Sequence, residues 1–316
     1  MFKPLKWTVL AANPCIDRNV YLNAELTRGT LNRVDHTVVN YAGKGLNVAT
    51  VAARLGQDVN YLTFSDGRSG YAQEAAQKEG FCAREAVFRC GIRTNTKIIE
   101  PDGRGTECNE KGGPVSEAEY ETLVELFLNH IGDIAVLSGS LPKGVPAEAY
   151  RELIRDLRKR NPNVRVALDA DGDVLRFGCE SGPNWIKPNR KELSGLSGCS
   201  EAELDDPAKL KETCQKAARS YGCDVLCTLD SSGAAYVGRE GCFLVPAADV
   251  PPRGFSGAGD TFLAAFLAAH VAGGMSAPQA LAYASRAAGA KVALEGTALP
   301  YSKDIEALPP IAVSEW

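Results

Sequence analysis

The sequence predicts an α/β protein built on a mostly parallel sheet with helices on both faces, and with a small second sheet beside it. Short, continuous apolar runs alternate with amphipathic helical segments along most of the chain. Continuous runs mark strands that are buried on both faces, as a helix-covered parallel sheet requires. A second pattern interrupts the first: polar-rich, β-branched segments that alternate in the manner of half-exposed strands.

The elements follow in order. Residues 7–12 are an apolar strand, 46–55 a helix, 59–64 a strand and 71–79 a helix. Residues 118–130 form a helix, 134–138 a strand, 147–158 a helix and 165–169 a strand. Residues 185–187 are a short strand, and Asn189 starts a helix. A helix at 207–221 and a strand at 225–229 come next, then helices at 257–271 and 277–292. The half-exposed strands are 19–22, 33–41 and 97–106, with a hairpin turn at Pro101-Asp102-Gly103. They are scattered between α/β elements, so they form a small sheet projecting from the main body. A small sheet over strand ends has the layout of a lid. The expected organisation is one domain over residues 1–316, with a discontinuous lid from about 14–24, 32–42 and 92–110.

Bulk properties exclude several classes. A net charge of −4 with dispersed basic residues makes no electrostatic case for nucleic acid or an anionic membrane. No segment has the apolar length of a membrane span; the best, 262–271, is short and broken by His270. The first residues lack the apolar core of a signal peptide, so a cytoplasmic protein is expected. The 10 cysteines include no C-x-x-C pair and the 3 histidines are dispersed, which argues against a zinc site. The thiols read as mostly buried small hydrophobes, with Cys15 and Cys108 the ones expected near a site.

The strongest chemical signal is Phe255-Ser256-Gly257-Ala258-Gly259-Asp260-Thr261, followed by the apolar run. Ser256 is placed to cap a helix whose first turn is Gly257-Ala258-Gly259. Small residues leave the amides of that turn open, and the helix dipole adds positive potential. Such a turn holds anions. Asp260 within it suits a base that takes a proton from an attacking hydroxyl while the turn holds a phosphoryl group. Alone, the segment is also an ordinary glycine-containing helix start.

Other polar groups collect after strands, where open α/β sheets bind ligands. They are Asn13-Pro14-Cys15-Ile16-Asp17, the segment from Trp185 to Glu192, and the segment from Thr228 to Gly233. Ala42-Gly43-Lys44-Gly45-Leu46-Asn47 opens a helix without Walker A spacing. Its glycines permit close ligand approach and Lys44 supplies a point charge. Arg93-Thr94-Asn95-Thr96 offers a bidentate phosphate clamp.

In order and spacing these segments, together with Ser138-Gly139-Ser140-Leu141-Pro142, resemble the PfkB (ribokinase-like) carbohydrate kinases. Within that family they are similar to the branch of 1-phosphofructokinases and tagatose-6-phosphate kinases. The resemblance runs from about residue 8 to 297. It implies a three-layer α/β/α core with a β-sheet lid, and an enzyme that uses ATP and Mg²⁺ to phosphorylate a ketohexose monophosphate. Asp260 would be the base, and Gly257, Ala258 and Gly259 the anion hole. Asp17, Gly43, Asn47 and Ser140 would lie along the sugar, with Lys44 and Arg93 on its phosphate. Lys187, Thr228, Asp230 and Gly233 would lie along the nucleotide. Asn189 and Glu192 would organise Mg²⁺ through water. A homodimer through the lid is also expected.

The chain departs from the family at Ala42, where a second glycine is usual, and at Asp230, where glycine is usual. A carboxylate near ATP phosphates is unfavourable unless it turns outward or meets a cation. Two other readings stand beside the first. One is a kinase of an unphosphorylated sugar or nucleoside, separated from the first by where Lys44 and Arg93 point. The other is a non-catalytic phosphosugar-binding protein, which would gain nothing from a carboxylate in its anion hole.

Overall fold

The computed structural model describes residues 2–316. The chain runs through β1 (Lys6–Ala11), β2 (Cys15–Leu22), β3 (Val34–Ala42), α1 (Lys44–Arg54), β4 (Asp58–Ser65), α2 (Tyr71–Glu79), β5 (Cys82–Val87), β6 (Arg93–Ile99) and β7 (Gly105–Asn109). It continues through α3 (Glu117–Leu128), β8 (Ile134–Ser138), α4 (Ala149–Arg160), β9 (Arg165–Asp169), α5 (Gly172–Cys179), β10 (Trp185–Ile186) and α6 (Arg190–Ser197). Then come α7 (Pro207–Tyr221), β11 (Asp224–Thr228), β12 (Ala234–Gly238), β13 (Gly241–Val245), α8 (Ala258–Leu267), α9 (Ala277–Val292), α10 (Ser302–Glu306) and β14 (Ser314–Glu315).

The main sheet has 10 strands in the order β14-β13-β12-β11-β10-β9-β8-β1-β4-β5. Every neighbouring pair from β5 to β11 is parallel, and the pairs from β11 to β14 are antiparallel. The buried strands alternate between two cores, as a period of two demands. Trp7, Val9 and Ala11 face one core, formed with α1, α2, α8 and α9. Leu10 and Ala12 face the other, formed with α3 to α7. This is the expected α/β/α layering.

The second sheet has 4 strands in the order β3-β2-β6-β7. The half-exposed segments of the sequence fall here, and residues 101–103 turn between β6 and β7 as expected. The alternating polarity matches the burial, because β3 and β7 are largely solvent-exposed.

The helices at 71–79, 207–221 and 277–292 and the strands at 134–138 and 165–169 have the expected bounds. Strand β5, helix α5, the β12–β13 hairpin and the short α10 and β14 were not anticipated. The sequence of β5, Cys-Ala-Arg-Glu-Ala-Val, is polar because it forms an edge with one neighbour. The expected helix over 257–271 is α-helical only to Leu267 and then widens into a π-turn over Ala268–Ala272.

The first strand lies mid-sheet, and the chain leaves it toward β4 on one side and β8 on the other. That reversal opens a crevice at the carboxyl ends of the strands. Helix α1 reaches the crevice only because Gly45 lets it sit on the end of β1. A Cβ at Gly45 would lie 2.7 Å from Ala11 Cβ and 3.3 Å from Ala11 Cα. Neither atom can swing away. Gly45→Ala is expected to cost roughly 1–3 kcal/mol through overpacking. The measurement is thermal unfolding; an unchanged Tm would show that α1 has slack at this point.

Candidate active site

Helix α8 begins with an open turn. Its N-cap is Gly257, at φ +89°, with no side-chain cap. This replaces the expected Ser256 cap. The left-handed residue supplies the first helical acceptor, with Thr261 N–H donating to the Gly257 carbonyl at 2.9 Å. The Ala258 amide is spent on the Phe255 carbonyl at 3.2 Å. The amides of Gly257, Gly259 and Asp260 have no hydrogen-bond acceptor among the described residues. The open donors therefore sit at 257, 259 and 260 rather than along the run 257–259. A Cβ at Gly257 would lie 3.1 Å from Asn47 Nδ2. Glycine there lets Asn47 reach across and donate to Asp260 Oδ2 at 2.8 Å.

Asp260 is buried in the first turn of α8. Burial first, and the nearby Asp169 carboxylate second, raise its pKa from 3.8 to about 6 against the pull of Lys44 and Lys187. Asp169 is the buried carboxylate of this cluster that the sequence reading missed. It ends β9 with no exposure to solvent. Its Oδ1 accepts from Lys44 Nζ at 3.0 Å, and its Oδ2 lies 3.2 Å from Lys187 Nζ as a charge contact without hydrogen-bond geometry. Burial opposes the Asp169 charge, but the two ammonium groups outweigh it and hold the carboxyl below its ordinary range. Burial likewise opposes the charge on Lys44, while Asp169, Glu192 and Asp260 hold its pKa above the usual lysine value. The available signal was a lone Asp at the end of an apolar strand.

Lys44, expected with Arg93 on the sugar's phosphate, makes its contacts with carboxylates. It faces Asp169, with Glu192 Oε1 at 3.7 Å, because a fully buried carboxylate needs cations on both oxygens. Asn189 and Glu192 form a capping box at the start of α6. Asn189 Oδ1 accepts from the Glu192 amide and Glu192 Oε2 from the Asn189 amide, each at 2.8 Å. Glu192 Oε1 is left over and faces Lys44.

From these charges a cleft of about 850 Å³ runs along α8 and α9. Thr228, Asp230 and Gly233 line it with Lys187, Asn189 and Glu192, so the residues expected along the nucleotide border one cleft. Asp230 is exposed and adopts φ +52°, the single left-handed non-glycine among the described residues. Glycine is the residue at ease there, which accounts for the family preference. Ala247, Ala248 and Val292 add apolar lining. Gly289 lets α9 pack closely on residue 248 beside the cleft, since a Cβ there would meet Ala248 Cβ at 2.3 Å.

On the other side of Lys44 lies the base of the small sheet. Asn95 Nδ2 donates to Asp17 Oδ1 at 3.1 Å, and Asn13 Nδ2 donates to Ser140 Oγ at 3.0 Å. Gly43, at φ +132°, closes β3 onto α1 beside Pro14 and Cys15. Arg93 Nη1 donates to Asn95 Oδ1 at 3.3 Å and to the Glu110 carbonyl at 3.2 Å. Its Nε is buried without a protein partner. Asn13 and Ser140 form one pair, Asp17 and Arg93 share Asn95, and the Asn47 side chain bonds to Asp260. Ala42 is buried.

Half of the cysteines are buried, Cys15 among them. Burial, then Asp17, pushes the Cys15 thiol up to about 12, so it is unreactive at neutral pH. Cys108, expected near a site, instead sits exposed on β7 at the outer edge of the small sheet. Among the described residues no cluster of histidine, cysteine and carboxylate side chains could cage a metal, and no helix is long and apolar enough to cross a membrane.

The family model for pfkB carbohydrate kinases matches residues 11–304. The chain is 31% identical to the 1-phosphofructokinase of Escherichia coli (strain K12) over 258 residues, 80% of each chain. It is 28% identical to the 1-phosphofructokinase of Haloferax volcanii over 294 residues, 93% of each. A solved structure of phosphofructokinase-2 from Escherichia coli in complex with substrates and products superposes with a TM-score of 0.86 at 25% identity, covering 96% of this chain and 98% of that one. The ribokinase of Thermotoga maritima shares the fold, with a TM-score of 0.74 at 20% identity over 96% of this chain and 98% of that one. The open turn, the buried carboxylate within it and these matches agree: the chain belongs to the pfkB family of carbohydrate kinases.

Proposed function

We propose that the chain transfers the terminal phosphoryl group of ATP to a hydroxyl of a ketohexose monophosphate, with fructose 1-phosphate the first choice and tagatose 6-phosphate the second. The observation that carries this reading is the Asp260 carboxylate, buried beside open helix amides and flanked by Lys44 and Lys187. The similarity to 1-phosphofructokinases supports the substrate class.

The roles follow from the contacts. Asn47 holds Asp260 Oδ2, which leaves Oδ1 to take the proton from the attacking hydroxyl. The amides of Gly257, Gly259 and Asp260 receive the transferring group, with Ala258 setting the turn. Lys187 and Lys44 stabilise the charge that develops in transfer, and ADP leaves along the cleft lined by Thr228, Asp230 and Gly233. Asp17, Asn13 and Ser140 hold sugar hydroxyls, and Gly43 lets the sugar approach. With Lys44 tied to Asp169, the phosphate already on the sugar falls to Arg93, whose unpartnered Nε is a free donor. The small sheet closes this end as a lid.

The donor set suits Mg²⁺ bound mainly by water and phosphates. Glu192 offers one uncommitted oxygen and Asn189 is occupied in the capping box, so neither is part of a full protein cage. When bound there, Mg²⁺ neutralises nucleotide phosphate charge.

Asp260→Asn is expected to lower kcat by roughly 10²–10⁴-fold, the scale of general-base catalysis. In the wild type, kcat/KM should fall as the pH drops through about 6, because the base must be ionised. Stability runs the other way. A carboxyl raised to about 6 contributes stability below its ordinary 3.8 that is lost as pH rises through 6. Asp260→Asn should therefore be at least as stable as wild type at pH 7. A variant with near wild-type kcat removes Asp260 from the mechanism.

A coupled ADP-release screen over fructose 1-phosphate, fructose 6-phosphate, tagatose 6-phosphate and the free sugars tests the substrate class. Arg93→Ala should raise KM for the preferred phosphosugar by roughly 10- to 150-fold, the loss of a charge-assisted bond of about 1.5–3 kcal/mol. The unphosphorylated sugar should be nearly insensitive. Equal losses for both would place Arg93 in the scaffold and return the unphosphorylated-sugar reading.

The small sheet is also the surface we assign to self-association. At its edge β3 exposes Val34 (51%), Val38 (39%) and Val39 (51%), and Leu31 precedes them at 79%. Sedimentation equilibrium should show a dimer in the wild type and a monomer for Val39→Asp. A monomeric wild type refutes the assignment.

A further inference from the structure

We propose that Lys291 is a positioning residue for phosphoryl transfer, its buried ammonium clamping together the two loops that shape the open turn at Gly257. This rests on the reading of that turn as the phosphoryl site.

Lys291 lies in the last turn of α9 with no exposure to solvent. Burying an ammonium is costly without partners, and a methionine would fill similar space without that cost. Yet no carboxylate lies within ion-pair distance among the described residues. The partners are backbone carbonyls from two loops: Gly254 at 3.3 Å and Gly296 at 2.9 Å. The loops meet without slack, since a Cβ at Gly254 would lie 2.4 Å from the Gly296 oxygen and 2.7 Å from the Leu294 oxygen. A cation is what lets carbonyl oxygens crowd together away from water.

Both loops run on to the open turn. The Val292 carbonyl accepts from the amides of Arg253 and Gly254 at 2.8 and 3.1 Å, and three residues later Gly257 caps α8. Beyond Gly296, Leu299 Cδ2 comes within 3.3 Å of where a Gly257 Cβ would stand. Lys291 therefore fixes the approach to Gly257 from two directions without touching substrate.

Burial alone lowers the Lys291 pKa from 10.5 to about 8. The charged groups on the surrounding elements are committed elsewhere. Arg253 and Glu295 pair with each other across the loops. On α8 the ionisable side chain is Asp260, held by Asn47. On α9, Arg286 donates to the carbonyls of Ile305, Glu306 and Leu308, and Tyr283 packs on Phe2.

The test uses the full chain with Lys291→Met and Lys291→Ala. For Lys291→Met, kcat should fall roughly 10- to 100-fold, the scale of misplaced reacting groups, with both KM values changed less than about threefold. Amide hydrogen exchange in residues 253–259 should accelerate while the main sheet is unchanged. Methylammonium chloride should restore part of the activity of Lys291→Ala, and sodium chloride should not. Raising the pH through about 8 should lower wild-type kcat and loosen 253–259, effects absent in Lys291→Met. Global stability gives the opposite sign. Between about 8 and 10.5 the unfolded chain holds the proton that the folded chain has released, so the wild type gains stability relative to Lys291→Met. Wild-type kcat and exchange in Lys291→Met overturn the proposal. Should the variants not fold, the absence of a wild-type exchange step near pH 8 overturns it. A wild type inactive on every phosphosugar refutes the kinase reading, while the exchange measurements still decide the clamp.

Discussion

The Asp169 carboxylate is sealed from water between two ammonium groups, and the arrangement of the site depends on that contact. Lys44 enters from α1, just after the small sheet, and Lys187 from the turn after β10. A buried carboxylate with one partner removed costs several kcal/mol, so neither lysine is free to wander. In the mechanism we propose, their positive charge is in place before any phosphate arrives. That is preorganisation in its electrostatic sense, since no rearrangement is required as charge develops. Burial, and the Asp169 carboxylate after it, raise the pKa of Asp260 to about 6, the range in which the base we propose is both ionised and effective.

The scaffold explains how such distant parts of the chain converge. Asn13, Ser140, Asp169, Lys187 and Thr228 each follow or end a different parallel strand, and parallel strands share one carboxyl edge. Alanine-rich surfaces let α8 and α9 pack closely against each other and against the sheet, with Ala264, Ala265, Ala284 and Ala287 all buried. Tight packing there gives Asp260 a rigid support, because α8 carries it at its head with a full core face behind it.

Much of this was legible in the sequence, for physical reasons. Strands buried on both faces leave unbroken apolar runs, so 134–138 and 165–169 announced themselves. Helices with one wet face, such as 207–221, did so by their period. Edge elements did not. Strand β5 has a single neighbour and carries Arg84 and Glu85, so its composition resembles a loop. Site residues attached to glycine-rich turns were visible because few structural needs produce those turns. Asp169 was not, since one carboxylate at a strand end resembles any cap until the folded chain brings two lysines to it. The direction of Lys44 was likewise invisible, being decided by a partner 125 residues away. Ser256 misled because serine is a favoured cap, whereas Gly257 performs that role through its backbone alone.

The small sheet draws its strands from three separate stretches of chain, and its central parallel pair, β2 and β6, encloses α1, β4, α2 and β5. Closing so long a loop is entropically unrewarded until the elements within it have docked. The β2–β6 pairing therefore depends on the enclosed elements being in place, whereas β2–β3 and β6–β7 pair between chain neighbours. With β3 and β7 largely exposed, the sheet has little buried surface of its own to resist opening. The small sheet is thus the part of the molecule with the least packing to hold it in place, whereas Asp260, Lys44 and Lys187 are anchored in the body.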